Sequence, residues 1–118
     1  MWLGMFKFER LTVWQRSIDL YVTIRSIADA LPMRSQWSLA DQLRRAALSI
    51  SANIAEGTGR EGTRESKQFF NIAKASVYEV VSLLEAAARS GQLAATDRRT
   101  LYARCDEIAR MLSGLLRR

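Results

Sequence analysis

The sequence contains no histidine, one cysteine, one proline and six glycines in 118 residues. The missing histidine removes the commonest general base, most zinc sites and the Glu-x-x-His pairs that build di-metal centres in helical bundles. Any catalysis would depend on carboxylates, lysine or tyrosine alone, and no such constellation stands out. The expectation is a protein that is not an enzyme and holds no metal or cofactor. Cys105 has no second cysteine for an internal disulfide, which suits a reducing compartment. It lies on an apolar helical stripe, where a thiol is buried and inert rather than nucleophilic. So little proline and glycine leaves no room for a linker or a low-complexity tract. Long apolar runs are also missing, since nothing approaches the roughly 18 continuous apolar residues of a membrane span. The apolar opening, MWLGMFKF, is too short for a signal peptide and lacks a basic lead. These points give a cytoplasmic chain with no membrane partner.

Lysine is scarce, at three of the 18 basic residues, and 12 acidic residues leave a net charge of +6. Arginine bias favours phosphate, carboxylate and aromatic contacts, because the planar guanidinium bonds bidentately and stacks. The alternative is a solvated basic surface that serves solubility. A chain of this length is one domain, able to bury roughly two-thirds of its unfolded-chain surface without staples.

Apolar periodicity predicts four helices, at about 11–31, 38–57, 63–90 and 97–116, after an N-terminal arm over residues 1–10. In the first helix Trp14, Ile18, Tyr21, Ile24, Ala28 and Leu31 recur at helical steps, and Pro32 stops it. Ser38 caps the second, with Asp41 three positions on, and Gly57 ends it as a left-handed stop. The third carries Phe69, Ile72, Ala73, Ser76, Val80, Leu83, Leu84 and Ala87 inward and stops at Gly91. The fourth starts after Thr96 as N-cap, and Leu101, Cys105, Ile108, Leu112 and Leu115 keep heptad-like spacing. Trp2, Phe6 and Phe8 of the arm pack on the bundle or on a neighbour. No period-two alternation appears. Short loops between four helices give an all-α, up-down-up-down antiparallel four-helix bundle, one domain over residues 1–118.

The second helix is apolar on two sides. Leu39, Leu43, Ala46, Ala47, Ile50 and Ile54 form the core stripe, and Leu48, Ala52 and Ala55 lie opposite. A helix in the outer layer of a monomer should turn charge to water there, so the simplest reading is burial against another subunit. The alternative is that alanine is a good helix former whose exposure costs little. The third helix offers a receiving flank for such a contact in Phe70, Val77, Val81 and Ala88.

Gly57-Thr58-Gly59-Arg60-Glu61-Gly62 matches the dinucleotide-binding pattern G-x-G-x-x-G. That pattern has meaning only after a strand and inside a βαβ unit; here a helix precedes it, so the glycines read as a helix stop and a tight reversal. Folding the second and third helices back on each other brings Arg45 level with Ala75 to Glu79, and an Arg45–Glu79 ion pair would fix their register. Asn53 and Glu56 flank the core stripe at the level of Trp14 and Ser17 as hydrogen-bonding ties. The up-down topology also gathers Lys7, Arg10, Arg60, Arg64, Lys67, Arg117 and Arg118 at one pole, against Glu9, Glu56, Glu61 and Glu65. Such a pole can grip phosphates beside the free N–H groups of the third helix, or it is a solvated end with local ion pairs such as Glu61–Arg64.

LADQLRRAALSISANIAEGTGR and FFNIAKASVYEVVSLLEAA resemble the four-helix-bundle family encoded in intervening sequences of bacterial 23S ribosomal RNA genes, and so does FERLTVWQRS, residues 8–17. Arg45-Ala46, Ser49-Ile50, Asn53 to Gly57 and Arg60 carry the most specific part. Ala75, before Ser76, departs from the family's usual glycine. The resemblance implies a cytoplasmic, non-enzymatic bundle that assembles into a ring, usually of five copies. It also implies kinship with the accessory bundle proteins of diversity-generating retroelements, which bind nucleic acid and a reverse transcriptase. The resulting expectation is a homo-oligomeric scaffold, a pentamer on the family pattern, that binds RNA or DNA through a basic surface by phosphate contacts. A reverse transcriptase or other protein is a further partner on that pattern. The alternative is a protein–protein assembly module with no nucleic-acid role.

Overall fold

The helix boundaries follow from a few local contacts. The computed structural model describes residues 4–31 and 38–118; Trp2 and the loop 32–37, to which the sequence assigns roles, lie outside the described residues. A short 3-10 turn, Lys7–Arg10, leads into α1 (Thr12–Asp29), α2 (Leu39–Thr58), α3 (Thr63–Arg89) and α4 (Ala95–Leu116), with no strand among the described residues. Consecutive helices pack side by side and α4 closes onto α1, with α2 against α3 as the largest seam. This is the expected antiparallel four-helix bundle. None of the described helices is long and apolar enough to cross a membrane.

The Ser38 hydroxyl caps α2 by accepting the Asp41 N–H at 3.2 Å. At the end of α3, Gly91 takes φ +78°, the Gln92 N–H reaches the Ala87 carbonyl at 2.8 Å, and the Gly91 N–H reaches the Ala88 carbonyl at 3.1 Å. That paired closure is a Schellman stop, which needs the left-handed residue that glycine supplies cheaply. Two expected ends differ. The N-cap of α4 is Ala94 and not Thr96, which sits inside the first turn with its carbonyl bonded by the Thr100 hydroxyl. Gly57 is not a left-handed stop: it is a buried residue within α2, and Gly59 beyond it is right-handed. Gly57 serves the α2–α3 seam instead, because a Cβ there would stand 2.6 Å from the Phe70 ring and 3.1 Å from the Ser66 carbonyl oxygen.

The core holds Leu20 and Ile24 of α1, Leu43, Ile50 and Ile54 of α2, Val77, Val80 and Leu84 of α3, and Leu101, Ile108 and Leu112 of α4. Ile24 and Ala28 of α1 and Ala73, Ser76, Val80, Leu84 and Ala87 of α3 are buried as expected, and the two stripes depart from the expected sets at other positions. In α1 the buried positions are Val13, Ser17, Leu20, Ile24 and Ala28, while Trp14, Ile18 and Tyr21 are half-buried. Ser17 is tolerated there because its hydroxyl donates to the Trp14 carbonyl at 2.7 Å. In α3, Phe70 and Val77 point inward and Ile72 lies outside, 48% exposed. Phe8 does pack on the bundle, edge-on to Trp14 with ring centroids 4.9 Å apart.

Each seam carries a polar clasp. Arg44 binds Asp29 across α1–α2 at 2.8 Å, the Ser49 and Ser76 hydroxyls meet across α2–α3 at 2.8 Å, Arg98 Nε binds Glu85 across α3–α4 at 2.6 Å, and Arg16 pairs with Glu107 across α1–α4. The expected Arg45–Glu79 pair is not among them. Arg45 is 74% exposed and pairs with Asp41 one turn back on its own helix, at 3.5 Å. A partner at i−4 demands less ordering of a long side chain than one on another helix. Ser49 and Ser76 fix the α2–α3 register instead.

Glu85 accepts from Arg89 as well as Arg98, and these two hydrogen bonds hold its carboxyl below the ordinary value of 4.5. A carboxylate with a depressed pKa adds stability above its unfolded-state value and loses it as pH falls through its folded-state value. Acid titration should therefore destabilise the parent more steeply below pH 4.5 than Glu85→Gln. Circular dichroism melts across that range measure this, and parallel curves would show the cluster to be idle. Cys105, the one thiol, is fully buried under α3, and desolvation pushes it up to about 11.

Candidate nucleic-acid interface

The pole formed by the N-terminal turn, the α2–α3 reversal and the end of α4 is basic. The antiparallel path brings these separate stretches together, and a groove of about 460 Å³ lies among them. Lys7, Arg60, Lys67 and Arg118 line it, with Glu61 as the acidic lining residue. Leu11, Phe70 and Leu115 contribute apolar surface, and Thr58, Thr63 and Ser66 contribute hydroxyls. Arg60 is held by stacking, its guanidinium carbon 4.5 Å from the centre of the Phe69 ring, which leaves its N–H edge available. Gly62 begins α3 without a side-chain cap, so the first N–H groups of that helix face the same pole.

The remaining predicted residues divide. Arg10 lines an adjoining groove that shares Leu11, Leu115 and Arg118 with the first. Arg64 is exposed on the first turn of α3, outside the lining of either groove. Arg117 lines a different depression, with Lys74, Arg110 and Asp106. Among the acids, Glu9 is engaged by the Gly4 and Phe6 N–H groups at 3.3 and 3.0 Å, closing the turn that carries Lys7. Asn53 ties within its own helix, donating to the Ser49 carbonyl at 2.8 Å.

On α2, Leu48 is 48% exposed, Ala52 is exposed and Ala55 half-buried. The flank expected on α3 to receive them is not there. Phe70 and Val77, 8% and 1% exposed, belong to the chain's own core, and Val81 is half-buried against it. Phe70 and Val77 are consumed internally.

The sequence matches the family described as 23S rRNA-intervening sequence protein over residues 9–114. The chain belongs to that family. No curated protein matches it. A solved structure from Bacteroides thetaiotaomicron, described as a protein of unknown function from the S23 ribosomal protein family, superposes with a TM-score of 0.83 at 20% sequence identity, covering 91% of this chain and all of that one. At that identity the likeness is one of fold. The family's description names a location in 23S rRNA and no activity, and the matched residues span all four helices and the reversal that carries Arg60.

Within this family member, the groove's hydroxyls are the feature that residue-type reasoning passed over. Thr58, Thr63 and Ser66 flank the glycine reversal at spacings that bring them to one helix junction. The Thr58 hydroxyl donates to the Ala55 carbonyl at 2.9 Å and the Ser66 hydroxyl to the Arg60 carbonyl at 3.5 Å, so these two brace the reversal, and Thr63 is the hydroxyl suited to donate to a phosphate oxygen.

Proposed function

We propose that this chain is a non-enzymatic, homo-oligomeric scaffold that grips RNA or DNA by phosphate contacts at the basic pole. It forms a ring of five on the pattern of the family it resembles. The observation that carries the reading is the convergence of Lys7, Arg60, Lys67 and Arg118, from the N-terminal turn, the reversal, α3 and the chain end, around one groove with the single acid Glu61 in its lining. A surface serving only solubility has no reason to assemble cations from distant stretches on a groove with hydroxyls between them. The family's tie to 23S rRNA makes RNA the first ligand to try. Recognition would follow backbone and shape, because the groove presents point charges and hydroxyls without a helix shaped to enter a base-edge groove. The buried single thiol fits a cytoplasmic setting.

Fluorescence anisotropy with labelled RNA and DNA of unrelated sequence, repeated over a range of salt, tests this. Binding should weaken linearly in log salt. The double reversal Arg60→Glu, Arg64→Glu should weaken every sequence about equally and flatten the slope. Identical curves for parent and double variant would leave the pole a solvated end.

A further inference from the structure

Two depressions meet along the outside of the α3–α4 seam. The one nearer the basic pole, of about 440 Å³, is lined by Lys74 and Arg117 beside the Asp106–Arg110 ion pair. The one beyond it, of about 250 Å³, is lined by Val77, Val81 and the rings of Tyr78 and Tyr102. They share Tyr78, Asp106 and Ala109, so they form one groove. It continues from the pole. Lys74 stands about two turns beyond Lys67 on the same face of α3, and Arg117 adjoins Arg118. From Arg117 to Tyr102 the groove follows α4 for about 22 Å. Both rings face solvent, Tyr78 being 64% exposed and Tyr102 53%.

We infer that this groove is a path for single-stranded nucleic acid leaving the pole, with Lys74 and Arg117 on its phosphates and Tyr78 and Tyr102 stacked on unpaired bases. The inference rests on the nucleic-acid part of the proposed function, and adds the strand form and the aromatic half of the site. Charge is the first support. Arg16, Arg25, Arg44, Arg45, Arg89 and Arg98 each lie within ion-pair reach of a carboxylate. Asp106, the acid in the groove, is neutralised by Arg110 at 3.0 Å. Among the described residues, the cations left without a carboxylate are those of the pole, Lys74 and Arg117 continuing it, and Arg99 and Arg104 elsewhere on α4. Local pairing thus discharges most of the bundle and leaves the pole and this groove positive, which suits a polyanion. The rings are the second support. A duplex keeps its bases stacked inside and turns sugar and phosphate to such a surface, whereas a single strand presents base faces. Tyr78 lies one turn beyond Lys74 on the same face of α3, so a phosphate on the lysine brings an adjoining base to the ring. Cations interleaved with exposed rings are how sequence-tolerant sites hold a single strand.

Fluorescence anisotropy of the full chain with labelled RNA, single-stranded and duplex, of equal length and mixed sequence, tests this. The double variant Tyr78→Ala, Tyr102→Ala should weaken single-strand binding by about 10-fold or more and leave duplex binding unchanged. Tyr78→Phe, Tyr102→Phe should bind as the parent does, because stacking uses the ring and not the hydroxyl. Lys74→Glu with Arg117→Glu should lower the single-strand salt slope by about 1.4. Both tyrosines are exposed, so the helicity of their variants by circular dichroism and their mass by light scattering should match the parent's. An alanine variant that binds single strands like the parent, or loses both forms equally, overturns the inference and leaves the pole's role standing. An unchanged salt slope does the same, as does an altered subunit number, which would make the rings part of a protein contact. A parent that binds neither form overturns both readings.

Discussion

Gly57→Ala is expected to lower the stability of the fold by about 1–3 kcal/mol, although the same change in an exposed helix interior would raise it by about 1 kcal/mol. The sign reverses because of the neighbours. A methyl group at position 57 would meet Cε1 of Phe70 at 2.6 Å and Cδ1 at 2.8 Å, with the Ser66 carbonyl oxygen at 3.1 Å. The ring is buried and cannot swing clear, and the carbonyl belongs to the α3 backbone. Relief requires α2 and α3 to part, which disturbs the largest seam in the molecule. For a domain of this size the loss corresponds to a fall in Tm of roughly 4 °C per kcal/mol. A second-site change, Phe70→Leu, should recover part of the loss in the alanine background while destabilising the parent. Thermal melts of the four proteins complete the cycle. A stabilised Gly57→Ala would mean that the seam yields freely, and the close approach would then have no energetic weight.

Reversing all four lining cations, Lys7, Arg60, Lys67 and Arg118, to glutamate should abolish measurable binding to nucleic acid at moderate salt. The magnitude follows from counterion release. Each phosphate neutralised adds about 0.9 to the slope of log affinity against log salt on duplex, and about 0.7 on single strands. Four lost contacts should therefore cut the slope by about 3.6 or about 2.8 respectively. That difference also reports which form the groove holds. Reversal adds repulsion to the lost contacts, so affinity should fall by roughly 10³-fold or more at low salt. Reversing four exposed arginines elsewhere, Arg25, Arg45, Arg99 and Arg110, alters net charge equally and should leave most of the slope intact. Equal losses from the two sets would reduce the interaction to overall charge.

Much of this was legible in the sequence because helices announce themselves by period and by their ends. Four amphipathic stretches, Ser38 as cap, Gly91 as stop and the heptad spacing of α4 depend on local chemistry, which a sequence displays directly. The phase of a stripe does not. In α3, Phe69, Ile72 and Leu83 compete with Phe70, Val77 and Val81 for the inside, and both sets are apolar at helical spacing. Only the close approach of α2 through Gly57 settles the choice in favour of Phe70. Gly57 itself was misread for a related reason, since a glycine near a helix end reads as a cap until the residue facing it is known. Arg45 and Glu79 show the limit for polar pairs. Their levels were close to right, as the Ser49–Ser76 contact confirms, but level says nothing of azimuth, and an intrahelical partner took Arg45. At the basic pole, topology alone was enough to collect Lys7, Arg60, Lys67 and Arg118, while Arg64 and Arg117 fell on neighbouring surfaces. One turn of helix decides between those outcomes.

Cys105 turns the bundle into its own recorder. The chain carries this single thiol, fully buried where α4 meets α3, and desolvation pushes its pKa up to about 11, which keeps it protonated at neutral pH. A thiol reagent in solution can therefore react only with copies in which α4 has lifted and the sulfur has regained water. The rate of labelling is then a direct count of how often that seam opens. No probe has to be engineered into the protein, and a ligand or a second copy that holds α4 down would register as a slower clock.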